Sequence, residues 1–254
     1  MYKHNKMEIS RNVSKWGNSA GVLLPKEWLG KEVNIILIDR TSEIKKEVFD
    51  ILDSYLEDII GIYLVGSYAR NEPEKDSDID IIAISQKTKK EIISGKYSIS
   101  ISPIKSMKKT LEKSPLMIYP RLIEAKAILN KSLLEELISE KPGRKDFEGF
   151  ISDTKDIIRI NKGILGSENK YAQKEVIYSL VLRLRGIFLI DCILENKKYS
   201  NKDFKKMLEE TNISSEVYNV YLAVKSNKKT KIKINVSEAE KLLELLRLKI
   251  KKVK

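Results

Sequence analysis

The sequence predicts an α/β protein in three parts: a small N-terminal β unit, an α+β core and a C-terminal helical domain. Three observations lead there. Residues 7–39 alternate apolar and polar in short runs broken by turn residues. From Thr41 to Asn130, helical and strand periodicities take turns. Beyond Lys131 the apolar positions keep helical spacing almost to the last residue. The boundaries read as 1–39, 40–130 and 131–254, and a chain of 254 residues has room for three such units.

In the first part, residues 8–13, 22–24 and 33–38 read as strands, with a short helix before the last. Gly17-Asn18-Ser19 and Pro25 supply turn chemistry between them. A unit this small cannot bury its own core and needs a partner chain. The core opens with a helix from Thr41, capped by Thr41 or Ser42 with Glu43 following. Ile44, Val48, Ile51, Leu52, Tyr55, Leu56 and Ile59 recur at helical spacing along it. Residues 62–65 form a short buried strand ending at Gly66-Ser67, and 79–84 form another. Residues 97–104 alternate Ser against Ile, and 116–129 hold one or two more extended runs. Pro142-Gly143 marks a linker. The helices of the last part fall at 133–140, 145–164, 171–194, 201–210, 215–225 and 237–251.

Composition removes several mechanisms. The one cysteine, Cys192, excludes a disulfide framework and points to a reducing interior. The one histidine, His4, excludes histidine-dependent catalysis in the body of the chain and zinc sites of Cys/His type. The net charge of +12 suits polyanionic partners through counterion release, or else describes a lysine-rich solvated surface. The start of the chain is polar and carries no targeting segment. The most apolar run, 176–194, contains Arg183, Arg185 and Asp191, so it reads as a buried helix and not a membrane span. A cytoplasmic location without membrane contact follows.

The chemistry concentrates in residues 64–83, LVGSYARNEPEKDSDIDIIA. A strand runs into Gly66-Ser67 and a helix start at Tyr68-Ala69-Arg70. Glycine lets backbone approach a bound phosphate closely, and the serine hydroxyl and first helical amides are donors for an anion. Ten residues later, Asp78 and Asp80 sit at i and i+2 of a strand and share one face. Paired there, they can grip the same divalent metals while Ile79 and Ile81 point into the core.

At these residues the chain resembles the polymerase-β-type nucleotidyltransferase superfamily, whose signature is a strand, Gly-Ser, a helix and Asp-x-Asp on the next strand. The GSYAR…DSDID wording resembles the minimal nucleotidyltransferases of prokaryotes, many of them archaeal, over residues 41–130. The resemblance implies metal-dependent transfer of a nucleoside monophosphate from an NTP, ATP first among them, to an acceptor hydroxyl on RNA, protein or a small molecule. It implies Asp78 and Asp80 as catalytic holders of Mg²⁺ or Mn²⁺, and Gly66, Ser67 and Arg70 as nucleotide-binding residues. The sequence departs from the family in one place. The family places a third carboxylate on a later strand, whereas 97–102 offers only Ser98, Ser100 and Ser102. Glu124 either substitutes for it or is a surface glutamate.

Ser14-Lys15-Trp16-Gly17-Asn18-Ser19 and Leu23-Leu24-Pro25-Lys26-Glu27-Trp28 resemble the AbrB/MazE-type swapped-hairpin DNA-binding domain, in its small archaeal transposon-associated version. That resemblance implies an intertwined homodimer. It places Arg11, Lys15 and Asn18 on the face toward duplex DNA, with Trp16 and Trp28 in the core. In the helical part, Arg183 and Arg185 cannot share a face. One of them points to nucleotide phosphates or forms an interhelical ion pair. Two functions therefore stand: a nucleotidyltransferase, or a DNA-binding, antitoxin-like regulator whose transferase core has weakened catalysis.

Overall fold

The computed structural model describes residues 9, 11, 13–35, 41–73, 77–166 and 170–253, with Thr41 described for its backbone alone. The chain divides into two compact units, Met1–Ile44 and Lys45–Lys254.

In the first unit, β1 (Ser14–Trp16) and β2 (Ser19–Gly21) form a hairpin in which Lys15 faces Ala20 and Trp16 faces Ser19. Gly17 turns it at φ +58°, a conformation that glycine reaches without a Cβ penalty. A 3₁₀ turn follows at Lys26–Trp28. None of the described residues from 9 to 35 is buried. Trp16, expected in a core, is 64% exposed, and Leu29 is 77% exposed. The strands expected at 22–24 and 33–35 do not form. A strand needs a row of hydrogen-bonding partners, and among the described residues of this unit only β1 and β2 supply one another. Residues 8, 10, 12 and 36–38 of the expected strands lie outside the described residues.

The helix α1 (Thr41–Leu52) is shorter than its apolar period suggests. After Leu52 the chain passes through a 3₁₀ turn, Asp53–Tyr55, and Ile59 opens β3 (Ile59–Val65). The single turn α2 (Gly66–Ala69) follows, then β4 (Ile79–Ser85), β5 (Lys90–Ser94) and β6 (Tyr97–Pro103). Next come α3 (Ile104–Lys113), α4 (Tyr119–Ile123), β7 (Lys126–Leu129) and α5 (Lys131–Ile138). The extended reading of 116–129 holds only for β7. Pro115 and Pro120 stand at first-turn positions of helical segments, where their fixed φ suits a helix and no donor is lost.

The five strands lie in the order β5-β6-β4-β3-β7, with β4 and β6 parallel and the other pairs antiparallel. β3 and β4 are buried at nearly every position, the mark of strands covered on both faces. One face packs Tyr63, Val65, Ile82 and Ile84 against Met107 of α3, Leu122 of α4 and Leu134 and Leu137 of α5. The face is continuous because residues alternate sides along each strand and the register pairs Val65 with Asp80 and Asp80 with Ser98.

The remaining helices are α6 (Glu148–Leu165), α7 (Lys174–Leu194), α8 (Asn201–Glu210), α9 (Ser215–Lys225) and α10 (Val236–Val253). Before α7 and α10, β8 (Tyr171–Ala172) pairs briefly with β9 (Ile234–Asn235). α7 is the spine, with Ile177, Leu180, Val181, Leu184, Ile187 and Ile190 fully buried in one apolar cluster with α6, α9 and α10. The cluster includes Tyr119 of α4, so it is continuous with the sheet layer. Among the described residues, no helix is long and apolar enough to cross a membrane.

α6 crosses α7 where Gly186 faces Phe150, and a Cβ on Gly186 would collide with the Phe150 ring. Gly186→Ala overpacks this crossing. The expected cost is about 1–3 kcal/mol, read as a lower midpoint in urea unfolding with an unchanged m value.

Candidate active site

Asp78 and Asp80 flank the start of β4, Asp78 exposed and Asp80 half-buried. Directly after the neighbouring strand β3, Gly66 opens α2 at φ +73°, in the left-handed region. A Cβ on Gly66 would collide with the Asp80 carboxylate. Glycine is required twice here, for its torsion and for the close approach. The sequence-predicted residues Gly66, Ser67, Asp78 and Asp80 thus meet at one end of the sheet.

Ser98 stands beside Asp80 in the parallel register of β4 and β6, at one strand spacing of about 4.8 Å. The position next to the acidic pair is therefore a hydroxyl and not a third carboxylate. Burial holds the Asp80 carboxyl above the ordinary carboxylate range. Asp78 adds to the rise, while the charges of Arg121, Lys225 and Arg70 pull against it. Arg121 lies on α4 and Lys225 ends α9, so cations from two distant elements face one acid. No spacing in the sequence announces either of them, and Lys225 reads there as the start of a solvated basic run.

Glu124 caps the end of α4 and is no surface residue. Its Oε1 accepts from the Gly66 amide at 3.0 Å. Both its oxygens accept from Arg70 Nη1 at 2.8 Å. The two side chains are 13% and 15% exposed, so this is a largely buried ion pair. Burial raises the Glu124 carboxyl, and the bonds from Arg70 and Gly66 draw it part of the way back.

Arg70 also donates from Nε to Glu72 Oε2 at 3.3 Å, and its guanidinium lies 5.6 Å from the centre of the Tyr199 ring. Arg185 approaches the same ring at 5.2 Å. Arg185 donates to Tyr221 and Asn201. It enters no ion pair among the described residues, and its buried Nε bonds to nothing. Arg183 lies over Phe150 at 5.0 Å. Ser200 accepts from the first amides of α8 and donates to Glu72 Oε1 at 2.9 Å. In the first unit Arg11, Lys15 and Asn18 are all exposed, the last two at the hairpin.

The nucleotidyltransferase domain family model matches residues 45–178, a segment that contains Gly66, Ser67, Asp78, Asp80 and Glu124. The chain belongs to this family. As a nucleotidyltransferase it moves a nucleoside monophosphate from a nucleoside triphosphate. A "Putative protein adenylyltransferase" of Methanocaldococcus jannaschii is 37% identical over 89 residues, 31% of this chain and 86% of that protein. Two solved structures are similar in fold. Spectinomycin adenyltransferase from Enterococcus faecialis has a TM-score of 0.46 at 16% identity, covering 83% of this chain and 99% of that one. A nucleotidyltransferase-like protein from Exiguobacterium sibiricum has a TM-score of 0.38 at 11% identity, covering 83% and 74%. Residues 3–41 match a family described as "Putative transposon-encoded protein".

Two carboxylates and a glycine turn suit a divalent cation that arrives with its nucleotide. Among the described residues no three His, Cys, Asp or Glu side chains group closely enough to hold a metal by themselves. Mg²⁺ commonly takes one or two carboxylates and completes its shell with substrate phosphates and water. The donors at this nucleotidyltransferase site are hard oxygens, and an acid raised by burial and a like-charged neighbour gains from a nearby cation.

Proposed function

We propose that this nucleotidyltransferase acts in the cytoplasm on ATP, with Mg²⁺ or Mn²⁺ held by Asp78 and Asp80. The observation that carries the reading is the contact of Gly66 with Asp80, which joins the phosphate-facing turn to the acid. In the reaction, an acceptor oxygen attacks the α-phosphorus, the bond to the bridging α–β oxygen breaks, pyrophosphate leaves, and the acceptor proton passes to solvent. When bound, the divalent ion neutralises triphosphate charge and favours departure of pyrophosphate. Gly66 lets the backbone approach the triphosphate, and the Ser67 hydroxyl donates to its oxygens. Arg70 faces this turn from the side of Glu124. Arg121 and Lys225 balance the charge that collects around Asp80.

The acceptor is a hydroxyl of protein, RNA or a small molecule, and the name of the archaeal relative favours a protein side chain. The test is incubation with each α-labelled NTP, Mg²⁺ or Mn²⁺ and a native cell extract. Label on a protein band that depends on ATP and metal is expected. Label with no nucleotide, in an extract that supports a known nucleotidyltransferase, overturns the proposal.

A second reading concerns the first unit. None of its described residues between 9 and 35 is buried, and Trp16 and Leu29 are exposed, so it gains a core only against another surface. We propose that it pairs with a second copy as an AbrB-like swapped hairpin and presents Arg11, Lys15 and Asn18 to duplex DNA. Sedimentation is expected to give a dimer. Arg11→Ala with Lys15→Ala is expected to weaken duplex binding and lower its salt slope by about 2, while Asp78→Asn leaves binding unchanged. A monomer whose DNA affinity ignores both cations sinks this reading.

A further inference from the structure

We infer that Glu124 is a positioning residue that sets the Gly-Ser turn from behind, with Arg70 as its charged partner, and that it is not the third metal-holding carboxylate. The inference rests on the nucleotidyltransferase reading above. Three features carry it. Both oxygens of the Glu124 carboxylate are engaged: Oε1 takes the Gly66 amide, and both oxygens take Arg70 Nη1. The residue it grips through the backbone is the one whose left-handed torsion and missing Cβ bring the turn against Asp80. A shift in that amide therefore moves the turn relative to the acid.

The third feature is the extension on the far side of Arg70. Its guanidinium reaches Glu72 and lies on Tyr199, and Glu72 takes the hydroxyl of Ser200, which caps α8. The order Gly66, Glu124, Arg70, Glu72, Ser200 is an unbroken series of hydrogen bonds from the phosphate-facing turn to the first turn of α8, far along the sequence. Arg70 is thereby committed to the brace, and Ser67, next to Gly66, brings a hydroxyl to the turn for phosphate. A buried pair of this kind, once one partner is removed, leaves the other charge uncompensated, so the turn is strongly held while both are present.

The experiment measures equilibrium binding of labelled ATP to the full chain across a Mg²⁺ titration, for wild type, Glu124→Gln, Arg70→Ala, the double variant and Ser200→Ala. The brace predicts that Glu124→Gln and Arg70→Ala each raise Kd for ATP about tenfold or more at saturating Mg²⁺. The Mg²⁺ midpoint stays at its wild-type value, and the double variant is no worse than the worse single one. Ser200→Ala shifts Kd in the same direction by a smaller factor, and it answers the question if the buried variants do not fold. A Mg²⁺ midpoint that moves while Kd at saturation holds assigns Glu124 to the metal and overturns the inference. An unchanged Kd in Glu124→Gln or in Ser200→Ala also overturns it. If wild type binds no ATP at any Mg²⁺ concentration, the nucleotidyltransferase proposal itself fails, a result distinct from these.

Discussion

Asp80→Asn is expected to reduce nucleotide transfer by about a thousandfold, equivalent to about 4 kcal/mol of transition-state stabilisation. The substitution keeps the shape of the side chain and removes one of two charges at the start of β4. Ser98 occupies the adjacent register position and brings no charge to replace it. On the proposed reading, a divalent ion would lose its second carboxylate and triphosphate charge would go largely unneutralised. The check is label transfer under the conditions that give product with wild type. Wild-type rates in Asp80→Asn would show that the acidic pair is not the centre of the reaction.

The same variant separates activity from stability. Burial raises the Asp80 carboxyl in the folded protein. Such an acid binds its proton more tightly folded than unfolded, so its ionised form costs stability at neutral pH and not in acid. Asp80→Asn in chelator is therefore expected to melt above wild type at neutral pH. The advantage shrinks as pH falls through the carboxyl range and disappears where Asp80 is protonated in both states. A variant that is dead in transfer yet more stable at pH 7 is the signature of a charge kept for function.

Gly66→Ala has the second largest expected effect: transfer falls by about a hundredfold, because a turn displaced by even 1 Å misplaces the phosphate-facing groups. Alanine at φ +73° is strained by about 1–2 kcal/mol, and its Cβ collides with the Asp80 carboxylate, so the acid or the turn moves. Gly95→Ala is the control. Gly95 turns the β5–β6 hairpin at φ +56°, and its Cβ would meet nothing within 4 Å. It suffers the same torsional strain, so its melting temperature drops while transfer per folded molecule holds. Equal losses of transfer in the two variants would assign the Gly66 effect to strain alone.

What the sequence reveals of this site follows the range of its signals. Gly66-Ser67 and Asp78-x-Asp80 are legible because strand alternation is local: once β3 and β4 are strands, two aspartates at i and i+2 share a face whatever else the chain does. Helices α8 and α9 begin and end where capping serines and apolar spacing put them. Arg70 and Glu124 are 54 residues apart, and no period connects them. Glu124 lies among Leu122, Ile123 and Ala125, where a lone glutamate reads as solvent-facing. Strand β5 is hidden by its charged start at Lys90 and Glu91, and α3 by having only Ile104, Met107 and Leu111 on its apolar side. The strands of the first unit are a different case. Alternation marks 22–24 and 33–35, but a strand also needs a hydrogen-bonding neighbour, and alternation says nothing of where that neighbour lies.

The aromatic ring of Tyr199, with one guanidinium from each side of the molecule's sequence resting on it, bears on where this enzyme can be cut. Similarity to the family ends at Tyr178, five residues into α7. A fragment trimmed to that limit would keep Gly66, Asp78, Asp80, Arg70 and Glu124. It would discard Arg185, the ring, and the serine that ties Glu72 to α8. It would also split the spine of the helical cluster, exposing Leu180, Leu184 and Ile187. The extent of the family match and the extent of the folding unit are different lengths here. If the brace holds the glycine turn as proposed, the shortest piece that keeps it intact runs on past residue 200.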